Sequence, residues 1–111
     1  MTASFLIVSM AAWLATADAA PDRSDHEACA LATSRFTASH RLPISRIGLC
    51  DVLPAERSPR GYAVLALHST RQCDGICSTL LGWFAVERAN GRVFEWDVAE
   101  WRRGVEITVR R

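Results

Sequence analysis

All four cysteines, Cys29, Cys50, Cys73 and Cys77, follow an apolar leader, and that order constrains the fold more than any other feature. Phe5 to Leu14 is almost entirely apolar, and no charged side chain precedes Asp18. Ala17-Asp18-Ala19 has the small-x-small pattern that signal peptidase prefers. The apolar run is about half of the ~20 residues that a membrane span needs. Residues 1–19 therefore read as a cleavable signal peptide, and residues 20–111 as one small α+β domain. Cleavage removes nineteen of the 111 residues and leaves 92. A domain of that size buries a modest core and gains from cross-links. An even number of cysteines in an exported chain favours two disulfides over free thiols.

The expected pairing is Cys73 with Cys77 and Cys29 with Cys50. Cys73-Asp74-Gly75-Ile76-Cys77 places a turn pair between two cysteines, which brings their Cα atoms within bridging distance. Cys29–Cys50 would then tie the helix to the first strand. Four cysteines allow three pairings, and spacing alone leaves the other two open. Cys73, Cys77 and His68 have the wrong spacing for a zinc knuckle, and Cys-x3-Cys is not the redox Cys-x2-Cys motif. No metal or cofactor site is expected.

Charge excludes one class of partner. The thirteen basic residues are all arginine and face eleven acids after leader removal, a net charge of +2 without a clustered excess. That is no footprint for nucleic acid. A GC-rich bacterial genome accounts for arginine without lysine. With the leader, this points to the periplasm and to a chain with no membrane span once the leader is gone.

Ser24-Asp25-His26-Glu27 has capping-box spacing, and Ala28, Leu31, Ala32, Arg35 and Phe36 follow on one helical stripe. The helix is expected to fray near Ser39, with Pro43 forbidding continuation. Strands are predicted over Ile44–Leu53, with Ile47, Leu49 and Leu53 on one face, then Tyr62–His68, Thr79–Arg88 and Arg92–Val98. Pro54–Gly61 reads as a loop. Asp97-Val98-Ala99-Glu100 suggests a single helical turn ended by Gly104, before a closing strand in which Val105, Ile107 and Val109 face inward. The sum is one N-terminal helix packed on a curled antiparallel sheet of four to five strands.

Turn chemistry then assigns the tryptophans to faces. A two-residue Asn90-Gly91 turn would oppose Glu87 to Phe94 and mix charge with aromatic groups on each face. A three-residue loop, Ala89-Asn90-Gly91, opposes Val86 to Phe94 and Phe84 to Trp96, and sorts the faces. In that register Trp96 joins Phe36, Phe84, Val86 and Phe94 in the core. Trp83 falls on the other face among Ala85, Val93, Glu95 and Asp97, and Trp101 sits on the turn after the hairpin.

No catalytic constellation stands out. His68 beside Ser69 or Ser78 lacks a nucleophile elbow. Glu95 and Asp97 share a strand face, but a glycosidase pair must flank a cleft. The reading is a non-enzymatic binding module, an inhibitor or immunity-type protein for an envelope enzyme. The alternative is a structural or accessory subunit of a cell-envelope complex. Either way the expected partner is another envelope protein. The expected contacts are Asp74 at the apex of the Arg71–Ser78 tip, Arg71 and Gln72 beside it, and Trp83 and Trp101 for apolar area.

Overall fold

The computed structural model describes residues 21–71 and 78–109. The expected signal peptide, residues 1–19, lies outside them, and so do Gln72, Cys73, Asp74 and Cys77. Ser24 opens helix α1 (Asp25–His40). Its hydroxyl accepts from the Glu27 amide, and the Glu27 carboxylate accepts from the Ser24 amide, each at 3.1 Å. Two otherwise orphaned donors are thereby satisfied, as the sequence pattern predicts. Ala28, Ala32 and Phe36 form the buried stripe. Arg41 ends the helix in a left-handed conformation, and the Leu42 amide closes back on the Thr37 carbonyl at 2.9 Å.

Five strands follow: β1 (Ile47–Val52), β2 (Tyr62–Ser69), β3 (Leu80–Glu87), β4 (Val93–Asp97) and β5 (Arg102–Glu106). They form one antiparallel sheet in chain order, β1-β2-β3-β4-β5. The α+β expectation is met, but the sheet is not strongly curled. One sixteen-residue helix rests on one face, and the meander does not close around it. The helix-side core joins Ala28, Ala32 and Phe36 to Ala63, Leu65, Leu67, Phe84, Val86 and Val93. The far face holds Val64, Ala85 and Trp96, with Leu53, Tyr62 and Trp83 packed on them. Phe36 meets Phe84 edge-on, with ring centroids 5.4 Å apart.

The Cys29–Cys50 disulfide forms as expected, with 6.0 Å between the two Cα atoms. It ties the first turns of α1 to the edge strand β1. The partner cysteines of the other expected bridge lie outside the described residues.

Four local expectations are corrected. Ile44–Arg46 is a 3-10 turn, so β1 starts at Ile47. The register shifts between Ile47 and Leu49. The irregularity at Gly48 turns Leu49 outward, leaving it 56% exposed, and puts Cys50 and Val52 against the core instead.

The β3–β4 connection has four residues, Arg88 to Gly91, not two or three. Its rungs are Phe84–Glu95, Ala85–Phe94 and Val86–Val93. The longer loop is held by its own polar groups. The Gly91 amide donates to the Glu87 carbonyl at 2.8 Å, the Arg92 amide donates to Asn90 Oδ1 at 2.9 Å, and the Arg23 guanidinium donates to the Ala89 carbonyl at 2.7 Å. Trp96 and Phe94 are buried as expected, but on the face away from Phe36, Phe84 and Val86. Val93 moves to the helix side in exchange.

Residues 98–101 form a hairpin turn, not a helical turn. Asp97 Oδ1 accepts from the Glu100 amide at 3.0 Å, and Trp101, not Gly104, takes the left-handed position. The closing strand therefore starts at Arg102. Val105 is 71% exposed, while Ile107 packs on the core.

Candidate functional site

Antiparallel order places the start of β1, the β2–β3 connection and the β4–β5 turn at one end of the sheet. We call it the upper end. The C-terminus of α1 reaches the same end, and the Pro54–Gly61 loop and the N-terminus of α1 mark the other. Of the predicted contacts, Arg71 is exposed on the β2–β3 connection, its amide bound to Ser69 Oγ at 3.0 Å. Trp101 sits on the β4–β5 turn at the same end. Trp83 is half-buried on the far face of β3. The upper end thus brings Arg71 and Trp101 to one side of the molecule, with Trp83 below them. Asp74 and Gln72 lie outside the described residues.

Trp101 is conformationally unusual. The turns Arg88–Gly91 and Val98–Trp101 both hold four residues between paired strands, and both end in a left-handed residue. In the first it is Gly91, φ 77; in the second it is Trp101, φ 54. Glycine takes this conformation freely, whereas a bulky L residue pays about 1–2 kcal/mol. Trp101 nevertheless stays 42% exposed, with its ring edge-on to Trp96 at 5.3 Å. An aromatic pair recovers about 0.5–1.5 kcal/mol, so packing on Trp96 offsets much of the strain and leaves no large surplus. Beneath it, Trp96 Nε1 is buried and has no hydrogen-bond partner among the described residues.

A polar network closes the lower part of the far face. Tyr62 donates to Glu87 Oε2 at 3.0 Å, Asn90 donates to the other Glu87 oxygen, and Arg103 donates to the Tyr62 hydroxyl at 3.0 Å. The Arg103 and Arg92 guanidinium carbons lie 4.3 Å and 5.2 Å from the centroid of the Phe94 ring. Arg92 grips Glu106 through two hydrogen bonds, at 3.1 Å and 2.8 Å. The Asn90 bond, then that from Tyr62, holds the Glu87 carboxyl below its ordinary value of 4.5. The Arg92 hydrogen bond does the same for Glu106, and the bonds to Ser24 do so for Glu27.

Carboxyls lowered in the folded state bind protons more readily once the chain unfolds. Their stabilisation is complete above the ordinary carboxylate value and is lost as pH falls through the folded values. The melting temperature should therefore fall between about pH 5 and about pH 3. A Glu87→Gln, Glu106→Gln variant should show a flatter profile. A wild-type melting temperature constant across that window contradicts the network.

The remaining candidates have structural partners. His68 Nδ1 lies 3.2 Å from Thr79 Oγ1, while the Ser69 and Ser78 hydroxyls accept from the amides of Arg71 and Leu80. His26 is exposed in the first turn of α1. Among the described residues no group of three or more His, Cys, Asp or Glu could hold a metal ion, and no helix is long and apolar enough to cross a membrane.

One feature of the upper end escaped the sequence. Above Phe84 and Glu95, β3 and β4 part, and a cleft of about 360 Å³ opens between them. It is lined by Phe36, His40, Trp83, Phe84, Glu95 and Trp96, among others. Gly82 and Gly104 are the signals that could have found it, because an isolated glycine within a strand pattern marks a bulge or a close approach.

No protein-family model matches the chain. No curated protein and no solved structure matches it either.

Proposed function

We propose that this protein is a small exported binding module of the bacterial envelope that contacts a partner protein through the upper end of its sheet. An inhibitor or immunity-type role against an envelope enzyme fits best. The observation that carries this reading is Trp101, an exposed tryptophan in a left-handed position that the matching turn gives to glycine. Strain retained at an exposed aromatic favours a role in contact over a role in folding. Arg71, exposed just beyond the end of β2, adds a charged group at the same end of the sheet. The Cys29–Cys50 cross-link suits an oxidising compartment such as the periplasm.

The test uses purified, oxidised protein as bait for an envelope extract. Trp101→Gly and Arg71→Glu should lose capture of a defined partner at least tenfold, with melting within a few degrees of wild type. Glu56→Arg, at the opposite end, should capture normally. Capture that all three variants retain equally would reject the upper end as the contact surface.

A further inference from the structure

Three structural departures coincide at Glu95. Its rung with Phe84 is the last between β3 and β4. Beyond it, β3 continues on β2 alone, and Trp96 and Asp97 pair only with β5. On the other side, Phe94 pairs with Glu106 and Trp96 with Arg103, so Gly104 and Val105 together oppose Glu95. That is a bulge, and bulges re-aim side chains. Gly104 permits it, because a Cβ there would stand 3.2 Å from the Glu95 carbonyl oxygen. Finally, Glu95 lines the cleft that opens where the strands part.

The electrostatics set Glu95 apart from the other acids of β3–β5. Glu87 is bound by Tyr62 and Asn90, Asp97 accepts from the Glu100 amide, and Glu106 is held by Arg92. Glu95 has no ion pair and no hydrogen-bond partner among the described residues. Around it the cleft is walled by Phe36 and Phe84, with His40 stacked on Phe36 at a centroid distance of 4.2 Å. His40 Nδ1 lies 3.0 Å from both the Phe36 carbonyl oxygen and Ser39 Oγ. The volume lies at the lower end of the range of about 300–1,000 Å³ for pockets that hold small ligands.

We infer that this cleft receives a cationic side chain, lysine or arginine, from the partner. The carboxylate of Glu95 takes the charge, and the half-buried side chains of Leu81 and Ile107 on the cleft wall take the methylene stem. Among the described residues that line the cleft, Glu95 is the one that carries a formal charge, so an anion would meet repulsion there. A neutral apolar group would strip water from the carboxylate without replacing it. This inference rests on the reading of the protein as a binding module, and specifies what its partner inserts.

The probes are Nα-acetyl-lysine N-methylamide and Nα-acetyl-arginine N-methylamide, titrated into the ¹⁵N-labelled oxidised protein, with the neutral norleucine analogue as control. At least one cation should give saturable shifts at the Gly82, Phe84 and Glu95 amides. Glu95 is exposed, so Glu95→Gln should weaken that binding about two- to fivefold, the scale of an exposed ion pair. Glu100→Gln, on the turn outside the cleft, should leave it unchanged. Absence of saturable shifts, equal response to norleucine, or undiminished binding by Glu95→Gln would each overturn the inference. If envelope capture still depends on Trp101 in that event, the cation site alone is rejected and the binding-module reading stands.

Discussion

Replacing Phe36 with alanine is expected to destabilise the protein by about 3–5 kcal/mol, the usual range for a buried phenylalanine. The ring is 6% exposed and is the largest side chain that α1 contributes to the helix-side core. The other buried apolar residues of the helix, Ala28 and Ala32, bring the backbone close to the sheet but supply little volume. Phe36 therefore holds the contact with Phe84 at the C-terminal half of the helix almost alone. For a domain of this size the loss should lower the melting temperature by more than about 10 °C. Arg35→Ala, one position away, should change it by only a degree or two. Chemical denaturation of both variants checks the assignment, and near-equal midpoints would contradict it.

Removal of the Cys29–Cys50 bridge should have an effect of similar size. The cysteines are 21 positions apart, and closing such a loop in the unfolded chain is worth about 3 kcal/mol in the chain-entropy model. The Cys29→Ser, Cys50→Ser variant should fold with a correspondingly lower melting temperature. The loss should also be local. Among the described residues β1 is an edge strand paired with β2 alone, and its bulge at Gly48 interrupts the ladder. Amide exchange should therefore quicken first in β1 and in the opening turns of α1, while β2 and β3 keep their protection. Uniform loss of protection across the sheet would show that the bridge supports the whole core instead.

Features governed by local chemistry were legible in the sequence. The capping box of Ser24 and Glu27, the Ala28–Ala32–Phe36 stripe, five strands and the Cys29–Cys50 pairing all depend on short-range pattern or on cysteine parity. What failed was register. The faces of Trp96 and Phe94 hinge on whether the loop ending at Gly91 has three residues or four. Side chains decide that: Asn90 caps both Glu87 and the Arg92 amide, while Arg23, from a distant part of the chain, binds the loop carbonyls. Periodicity contains no signal for Arg23.

The same limit applies to β5. Inward placement of Val105 follows from simple alternation, and the bulge at Gly104 defeats it. In the candidate site, Arg71 and Trp101 could be named as exposed chemistry, but their placement at one end of the sheet needed the strand order, and Trp83 lies half-buried along β3. The cleft at Glu95 needed more, because it arises where two ladders stop agreeing. The size of Trp101 is legible in the sequence, whereas its left-handed backbone stands out only beside Gly91 in the matching turn.

Site-specific photo-crosslinking in living cells tests the contact surface most directly. A photoreactive phenylalanine analogue placed at position 101 should give a discrete, reproducible adduct with one envelope protein, and the same analogue at position 56 should give none. No adduct at position 101, or the same adduct from both ends of the sheet, would contradict the assignment of the upper end as the surface through which this protein acts.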